Sequence, residues 1–227
     1  MTAPTVAADD AAAFAAGTTH TFDLTAGLGT ISAGDLLLMF AGSADGVTFT
    51  EPSGWTELAE YHTANAAEAA VFYLIAAGGE TSAAFDISAS ETAAAIVWRI
   101  TGHDAADPPA TSVAVQGGSI NPDSGLCTPG TTEDFLYISA FFTRGSNTIS
   151  VYPYGDGNIT VAGTLATVGG AWVQTSGSSS EDPGAYTKSG TQDWIAVTLG
   201  IFPGAAAAAG VGVTPIIQNY RNMGLMG

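Results

Sequence analysis

The feature that most constrains this chain is a set of short apolar blocks that occurs twice, about 100 residues apart. The block Asp35–Ala41 returns 99 positions later at Asp134–Ala140, and Ala94–Val97 returns 100 positions later at Trp194–Val197. Two further blocks, 47–54 and 70–73, return at 148–155 and 171–174, both at an offset of 101. An offset that stays nearly constant over four blocks indicates an internal duplication.

The repeated blocks have the length and the period of β-strands. Asp35–Ala41 and Ala94–Thr101 are nearly continuous apolar runs, each next to a glycine, whereas Ala84–Ile87 alternates between apolar and polar residues. Short runs of this kind, bounded by turn residues, are typical of strands in a packed sheet. We therefore predict an all-β fold: a jelly-roll-like antiparallel β-sandwich built from two duplicated halves, with a short C-terminal helical arm.

The repeat also predicts the domain boundaries. Residues 1–16 are expected to form an N-terminal arm, and residues 17–203 are expected to form the β-sandwich. Its two halves are residues 17–102 and 118–203, followed at 204–227 by an Ala/Gly tether and a C-terminal arm. One half alone would have exposed sheet edges and a thin core. The halves are therefore expected to supply the facing sheets of one sandwich, with two tandem sandwiches as the alternative.

The charge balance excludes several classes of partner. The chain has 21 Asp and Glu against 4 Lys and Arg, which gives a formal net charge of −17. Neutralising nucleic-acid phosphates or an anionic membrane surface requires clustered basic residues, so neither partner is expected. The apolar stretch 195–217 is interrupted by Pro203 and by several glycines. It therefore predicts a buried strand followed by a tether rather than a transmembrane helix.

The sequence offers no catalytic or metal-binding motif. His20, His62 and His103 have no partner at metal-ligand spacing, and Cys127 is a single cysteine. The acidic turns 121–125 and 156–158 suit either a calcium ligand set or ordinary tight turns, so both interpretations stay open. We predict a protein that is not an enzyme, with no cofactor and no assigned metal site.

Aromatic residues near the turns suggest a possible ligand surface. Trp55 follows a Pro-Ser-Gly turn, and Tyr152 and Tyr154 occupy the matching part of the second half. Exposed together, these three side chains would form a platform on which sugars stack. The alternative is that they pack in the core, because residues repeated in kind at the same repeat position usually do so.

The C-terminal segment has the spacing of one helix face. Ile216, Ile217, Tyr220 and Met223 recur at i, i+1, i+4 and i+7, and Arg221 is the one cation of the segment. So short a helix is not stable by itself, and its apolar stripe is expected to dock. We identify these five residues as a candidate partner interface, since the stripe can dock on its own sandwich or on a neighbouring subunit.

Four strings in the first half resemble a pattern of tailed-bacteriophage virion proteins, in which GDLL, PSGW, VFYK and AAILRISG strings recur in that order. The matching segments here are 34–40, 52–58, 71–76 and 94–102. The resemblance covers residues 30–102 well and residues 133–203 as a faded copy, where Tyr154-Gly155-Asp156 replaces Ser-Gly-Trp.

The resemblance implies a β-sandwich structural protein of a virion. The expected function is that of an outer capsid decoration or cement protein, which bridges capsomers and stabilises the shell. Its partners would be the major capsid protein and copies of itself, with a trimer as one form of self-association. It would lie at the capsid exterior after synthesis in the host cytoplasm. The alternative function is a receptor-binding or carbohydrate-binding module of a tail or fibre.

Overall fold

The computed structural model describes residues 2–62, 67–155 and 157–205, and this part of the chain is all-β, with antiparallel sheets and no helix. The strands are β1 Thr5–Asp23, β2 Leu36–Ala44, β3 Phe49–Thr50, β4 Thr56–Tyr61, β5 Ala67–Ile75, β6 Ser82–Thr101, β7 Ala110–Thr111, β8 Val115–Gly117, β9 Leu136–Arg144, β10 Ile149–Val151, β11 Ile159–Ala162, β12 Ala166–Gln174, β13 Thr187–Lys188 and β14 Trp194–Ile201.

The first central sheet comes entirely from the N-terminal part of the chain. Its strand order is β1-β6-β2-β5-β4, and β3 pairs with β6 away from this path. The middle strand β2 pairs with both β5 and β6, and every one of its residues is buried. That burial on both faces explains why its sequence is a continuous apolar run rather than an alternating one.

The second central sheet comes from the C-terminal part. Its order is β11-β12-β9-β14-β7, with β8 also paired to β14. A separate two-stranded sheet joins β10 to β13. The loop before β9 extends this small sheet, because the amides of Tyr186 and Lys188 donate to the carbonyls of Pro122 and Ile120 at 2.8 Å.

The two central sheets pack face to face, which confirms the predicted β-sandwich. Leu36, Leu38 and Phe40 of β2 point into the same core as Ile138 and Phe142 of β9, and all five are at most 1 % exposed. Alternate residues of each strand face this shared core, as the period of two requires. The sandwich is therefore held by side chains from both ends of the sequence.

Each central sheet also has a buried outer face. In the first sheet, Leu37 and Met39 of β2 pack under Phe22, Phe49 and Phe85, which belong to the second half of β1, to β3 and to the first half of β6. In the second sheet, the outer face carries two smaller clusters, comprising Phe141, Tyr186, Trp194 and Ala196, and Cys127, Phe135 and Tyr137. The molecule thus has a central core with further apolar cores on its two outer sides.

The strands of the two sheets correspond in order and in sequence position. β2 and β9 start 100 residues apart, β5 and β12 start 99 apart, and β6 and β14 end 100 apart. Across the sandwich β1 packs on β11, β6 on β12, β2 on β9 and β5 on β14. The strand order of one sheet is therefore reversed over the other, so an approximate two-fold axis along β2 and β9 relates them.

Residues at corresponding positions differ in size and fill each other's space. A Cβ atom on Gly42 would lie 2.3 Å from ring carbons of Phe142, the residue 100 positions later. A Cβ atom on Gly170 would lie 2.5 Å from the indole of Trp98. In the second sheet Gly170 pairs with Ala140, and at the corresponding position of the first sheet Val71 pairs with Phe40. The close packing of the sheets thus depends on the two halves being different.

Residues 5–16, which the sequence predicts to be an arm, form the first part of β1 instead. They pair with β6 from Thr5↔Thr101 to Phe14↔Ala93. Their small, alanine-rich side chains suit an edge strand that lies close to the opposite sheet: the Cβ atom of Ala13 is 3.0 Å from where a Cβ of Gly163 would be. Residues 206–227, with the predicted helical arm, lie outside the described residues.

Candidate functional site

The aromatic residues predicted to face a ligand do not form one platform in the structure. Trp55 is 7 % exposed and belongs to the outer core of the first sheet, together with Phe49 and Phe72. Its amide closes the Pro-Ser-Gly turn by donating to the carbonyl of Pro52 at 2.9 Å. A position just after a turn, with the indole directed onto the sheet, is that of a packing residue.

Tyr152 and Tyr154 lie on the other side of the molecule, over the second sheet. The Tyr152 ring packs edge-on against the buried Tyr186 ring, with centroids 5.9 Å apart. The Tyr154 hydroxyl donates to Glu181 Oε1 at 3.3 Å, and both residues are half-buried. Burial and the neighbouring Glu181 carboxylate raise the pKa of Tyr154. These two tyrosines are near each other, but the structure does not bring Trp55 to them.

The other predicted site residues lie outside the described residues. Ile216, Ile217, Tyr220, Arg221 and Met223 all fall in residues 206–227, and Asp156 of the acidic turn is also outside. Among the described residues, no group of three or more His, Cys, Asp or Glu side chains could hold a metal ion. Asn121 of the other acidic turn accepts a hydrogen bond from Thr187 at 3.4 Å.

The three histidines are far from one another in the fold. His20 is 2 % exposed between the rings of Phe14 and Phe85, and burial lowers its pKa. His103 is half-buried beside Pro203, and desolvation lowers its pKa as well. His62 is exposed, 3.6 Å from Glu60. The buried histidines have the surroundings of packing residues.

A buried ion pair holds the loop before β2. Arg99 donates through Nε to the carbonyl of Leu28 at 2.8 Å and through Nη1 to Asp35 Oδ2 at 3.2 Å. The same Asp35 oxygen accepts the amide of Ser32 at 2.9 Å. These contacts fix the segment 24–35 over the outer face of the sheet, so both charges have a structural role.

Two other reactive side chains are buried in the second half. Lys188, the one lysine of the sequence, is 2 % exposed, and its ammonium donates to the carbonyls of Gly190 at 2.6 Å and Gln192 at 2.8 Å. Burial lowers the pKa of Lys188 to about 8. Cys127 is fully buried, and burial raises its pKa to about 11. The lysine organises a loop, and the thiol is protected from reagents.

A cleft of about 380 Å³ lies at the end of the two-fold axis, where β2 and β9 finish. Arg144 of one half meets Asp45 of the other across it, with Nη2 and Oδ1 2.9 Å apart. Asp45 has a φ of 67°, the left-handed conformation that side chains rarely adopt. Glu91 and Asp193 also line the cleft. The cleft therefore carries a cross-half ion pair with acids around it.

A second, larger concave feature runs along one side of the sandwich, between β4 of the first sheet and β7–β8 of the second. It encloses about 540 Å³ and is lined by Leu58, Ala59, Tyr61, Val113, Ala114 and Ile195, with Glu60, His62, Thr111, Ser112 and Gln116 as polar neighbours. We call it the lateral groove. Val113, at its border, is 86 % exposed.

Comparisons with protein-family models, with curated proteins and with solved structures find no match. Within the described part of the chain, no helix has the length and apolar character needed to span a bilayer. The lateral groove is the strongest candidate site, and the sequence did not predict it. In the sequence, Val113 and Ala114 resemble residues of an ordinary strand. Only the three-dimensional structure shows that they line a groove.

Proposed function

We propose that this chain is a non-enzymatic structural protein of a tailed-bacteriophage virion, and specifically an outer capsid decoration or cement protein that bridges capsomers. The observation that carries the proposal is the layered packing, in which each central sheet is buried on both faces. Such a body resists deformation, because close-packed interiors have low compressibility. A cement protein needs this property, since its role is to transmit force between neighbours.

The distribution of acidic residues supports a position on the outside of the capsid. Of the described Asp and Glu residues, only Asp35 and Glu68 are buried. The remaining acidic side chains lie at partly or fully exposed positions, on a chain of net charge −17. A strongly anionic surface keeps crowded copies soluble and repels nucleic acid. It suits the outside of a shell better than a lumen filled with DNA.

We further infer that the chain arose by duplication of a jelly-roll-like unit of about 100 residues. In the first half the chain alternates between layers, and its first strand β1 pairs with its last strand β6 along the whole length of both. In the second half, β8 pairs with the last strand β14, and the loop at 120–122 pairs with β13. A first strand beside the last is the arrangement of a jelly roll.

The proposed partners are the major capsid protein and further copies of the chain, with three copies around one position as the proposed arrangement. The function is mechanical: the sandwich covers the junction between capsomers, and its buried layers hold its own shape. The alternative, a tail or fibre module that binds carbohydrate, is less well supported. It requires Trp55 on an exposed platform with Tyr152 and Tyr154, and Trp55 is a core residue here.

The proposal is tested by adding the purified protein to expanded, empty heads of the phage that encodes it, prepared without this protein. We expect saturable co-sedimentation and, in electron microscopy of the particles, density on the outer surface. We also expect the decorated heads to break at a higher temperature than bare ones. Failure to bind expanded heads, or density on the tail or fibre, would contradict the cement function.

A pair of variants connects this assay to the fold. Phe142→Ala removes a side chain from the core between the sheets, whereas Gly184→Ala adds a methyl group where no atom lies within 4 Å. Heads decorated with Phe142→Ala should break at a lower temperature than those carrying the native protein. Heads with Gly184→Ala should behave as native. Equal protection by both variants would show that the rigidity of the sandwich is irrelevant to the shell.

A further inference from the structure

The approximate two-fold axis gives the sandwich two corresponding lateral seams, and they are closed to different degrees. At the first seam, β1 lies on β11, where Ala13 approaches Gly163 closely. Gln174 Nε2 also donates across it to the carbonyl of Pro4 at 2.7 Å. At these two places the sheets are in direct contact.

The second seam is the lateral groove, which the described residues leave open. Here β4 lies near β7 and β8, and one hydrogen bond of 2.8 Å joins Tyr61 Oη to Thr111 Oγ1. Val113 lines it and is 86 % exposed, and Val115, next to the lining residues Ala114 and Gln116, is 37 % exposed. An apolar groove with an exposed valine at its border is a candidate surface for an apolar partner segment.

We infer that the lateral groove is the docking site of the chain's own C-terminal segment, residues 206–227. The sequence of this segment has the apolar residues that the groove needs, at a spacing that places Ile216, Ile217, Tyr220 and Met223 on one side. Arg221 among them matches Glu60 at the border of the groove in charge.

The position where the described chain ends favours this occupant. Ala205 follows β14, and β14 supplies Ile195 to the groove and pairs with β7 and β8 at its border. Ile216 lies eleven positions after Ala205, and Ile195 lies ten positions before it. Ten extended residues span about 33 Å, so the segment reaches back to the groove.

The tether also favours docking within one chain over docking on a second copy. A short linker gives its two ends an effective concentration in the millimolar range. A second copy in a dilute preparation competes at its actual concentration, about a thousandfold lower at 1 μM. The groove of an isolated molecule is therefore filled by the segment attached to it.

Disulfide trapping in the full chain tests the inference. The variant Val113→Cys/Ile217→Cys places one thiol at the groove and one in the segment. Cys127 does not interfere, because it is fully buried. The matched control is Val151→Cys/Ile217→Cys, since Val151 is a 49 % exposed valine on β10, outside the groove. Both proteins are oxidised mildly at 1 μM and 50 μM, and the products are separated without reductant and identified by mass.

We expect a monomeric cross-linked product with a 113–217 linkage, at least tenfold more abundant than in the control and equally abundant at both concentrations. A yield no higher than in the control would overturn the inference. A covalent dimer that increases with concentration would also overturn it, since a second copy would then be the occupant.

Hydrogen exchange provides a second measurement that needs no cross-link. In the full-length variant Ile217→Asp/Tyr220→Asp, the amides of residues 113–116 should exchange at least tenfold faster than in the native chain. Those of β2, buried in the sandwich, should be unchanged. Equal exchange at 113–116 in both proteins would show that the segment does not cover the groove.

Discussion

The contact between Gly42 and Phe142 gives the sharpest test of how the two sheets fit together. In Gly42→Ala the new methyl carbon would lie 2.3 Å from two ring carbons of Phe142 and 2.5 Å from its Cβ atom. The ring cannot swing out, because Phe142 is 0 % exposed and packed on all sides. Relief requires the two sheets to move apart.

The expected cost follows from the size of this overlap. Overpacking a well-packed core costs about 1–3 kcal/mol, and a clash that includes the Cβ of the neighbour belongs at the upper end. Replacing a strand glycine by alanine otherwise stabilises by about 0.5–1 kcal/mol through the unfolded chain. We therefore expect Gly42→Ala to lower the free energy of unfolding by about 2 kcal/mol.

The assay is urea denaturation followed by tryptophan fluorescence, with Gly184→Ala as the matched control. Gly184 has no atom within 4 Å of its β-carbon position and no left-handed backbone. That control should change the free energy of unfolding by less than about 1 kcal/mol, in the stabilising direction.

A double-mutant cycle isolates the contact. Phe142→Ala alone leaves a cavity and should cost about 3–5 kcal/mol. In the double variant with Gly42→Ala, the overlap with the two ring carbons disappears and only the overlap with the Cβ atom remains. The two costs should therefore fall short of additivity by about 1 kcal/mol. The reasoning is refuted if Gly42→Ala is as harmless as Gly184→Ala, or if the two costs simply add.

Three further predictions concern single side chains. Because burial lowers the pKa of Lys188 to about 8, the folded state binds its proton less tightly than the unfolded state. The free energy of unfolding of the native protein, relative to that of Lys188→Met, should therefore rise by about 1 kcal/mol per pH unit between pH 8 and 10. Urea titrations measure this difference, and a difference that does not change with pH would contradict the shift. Asp45→Gly should change stability by less than about 1 kcal/mol, since relief of the left-handed φ offsets the loss of a half-exposed ion pair with Arg144. Asp45→Val should be clearly destabilising in thermal unfolding. Equal behaviour of the two variants would exclude backbone strain. Cys127 should stay unlabelled by a thiol reagent in the native protein and react fully in urea, and labelling without denaturant would show that the core around it opens.

Sequence patterns identified the strands whose two faces are both buried. The run at 35–41 became β2 and the run at 134–140 became β9, because a strand buried on both faces must be apolar at consecutive positions. The alternating segment 84–87 lies in the first half of β6, where buried and exposed residues alternate. Here local pattern and tertiary burial agree.

The N-terminal strand could not be predicted in the same way. Residues 5–16 are rich in alanine and contain Asp9 and Asp10, which have a low preference for strands. They are nevertheless paired along β6, with Ala11 opposite Ile96 and Asp9 opposite Trp98. A constraint that the sequence does not show is the close approach to β11, where Ala13 lies near Gly163, and this approach exists only once the second sheet is in place.

The candidate site was hidden from the sequence for a related reason. The exposure of Val113 depends on which residues lie across the seam. The sequence around a single valine between two short strands does not show which residues those are. The aromatic residues were the opposite case: Trp55 follows a turn, which suggests exposure, but the turn directs its indole back onto the sheet. Turn chemistry predicts where the chain reverses and not where the next side chain points.

The large-for-small exchanges at the axis bear on the proposed duplication. Two identical halves would place either two glycines or two phenylalanines at the positions of Gly42 and Phe142, leaving a void in one case and a clash in the other. In the observed pair, the ring of Phe142 occupies the space that Gly42 leaves free. At the same end of the axis, Asp45 and Arg144 contribute opposite charges to one ion pair. Each half therefore fits the other better than it would fit a copy of itself. Because the two halves differ, the two seams need not be alike: the sheets meet closely at Ala13 and Gly163, whereas the lateral groove lies on the opposite side.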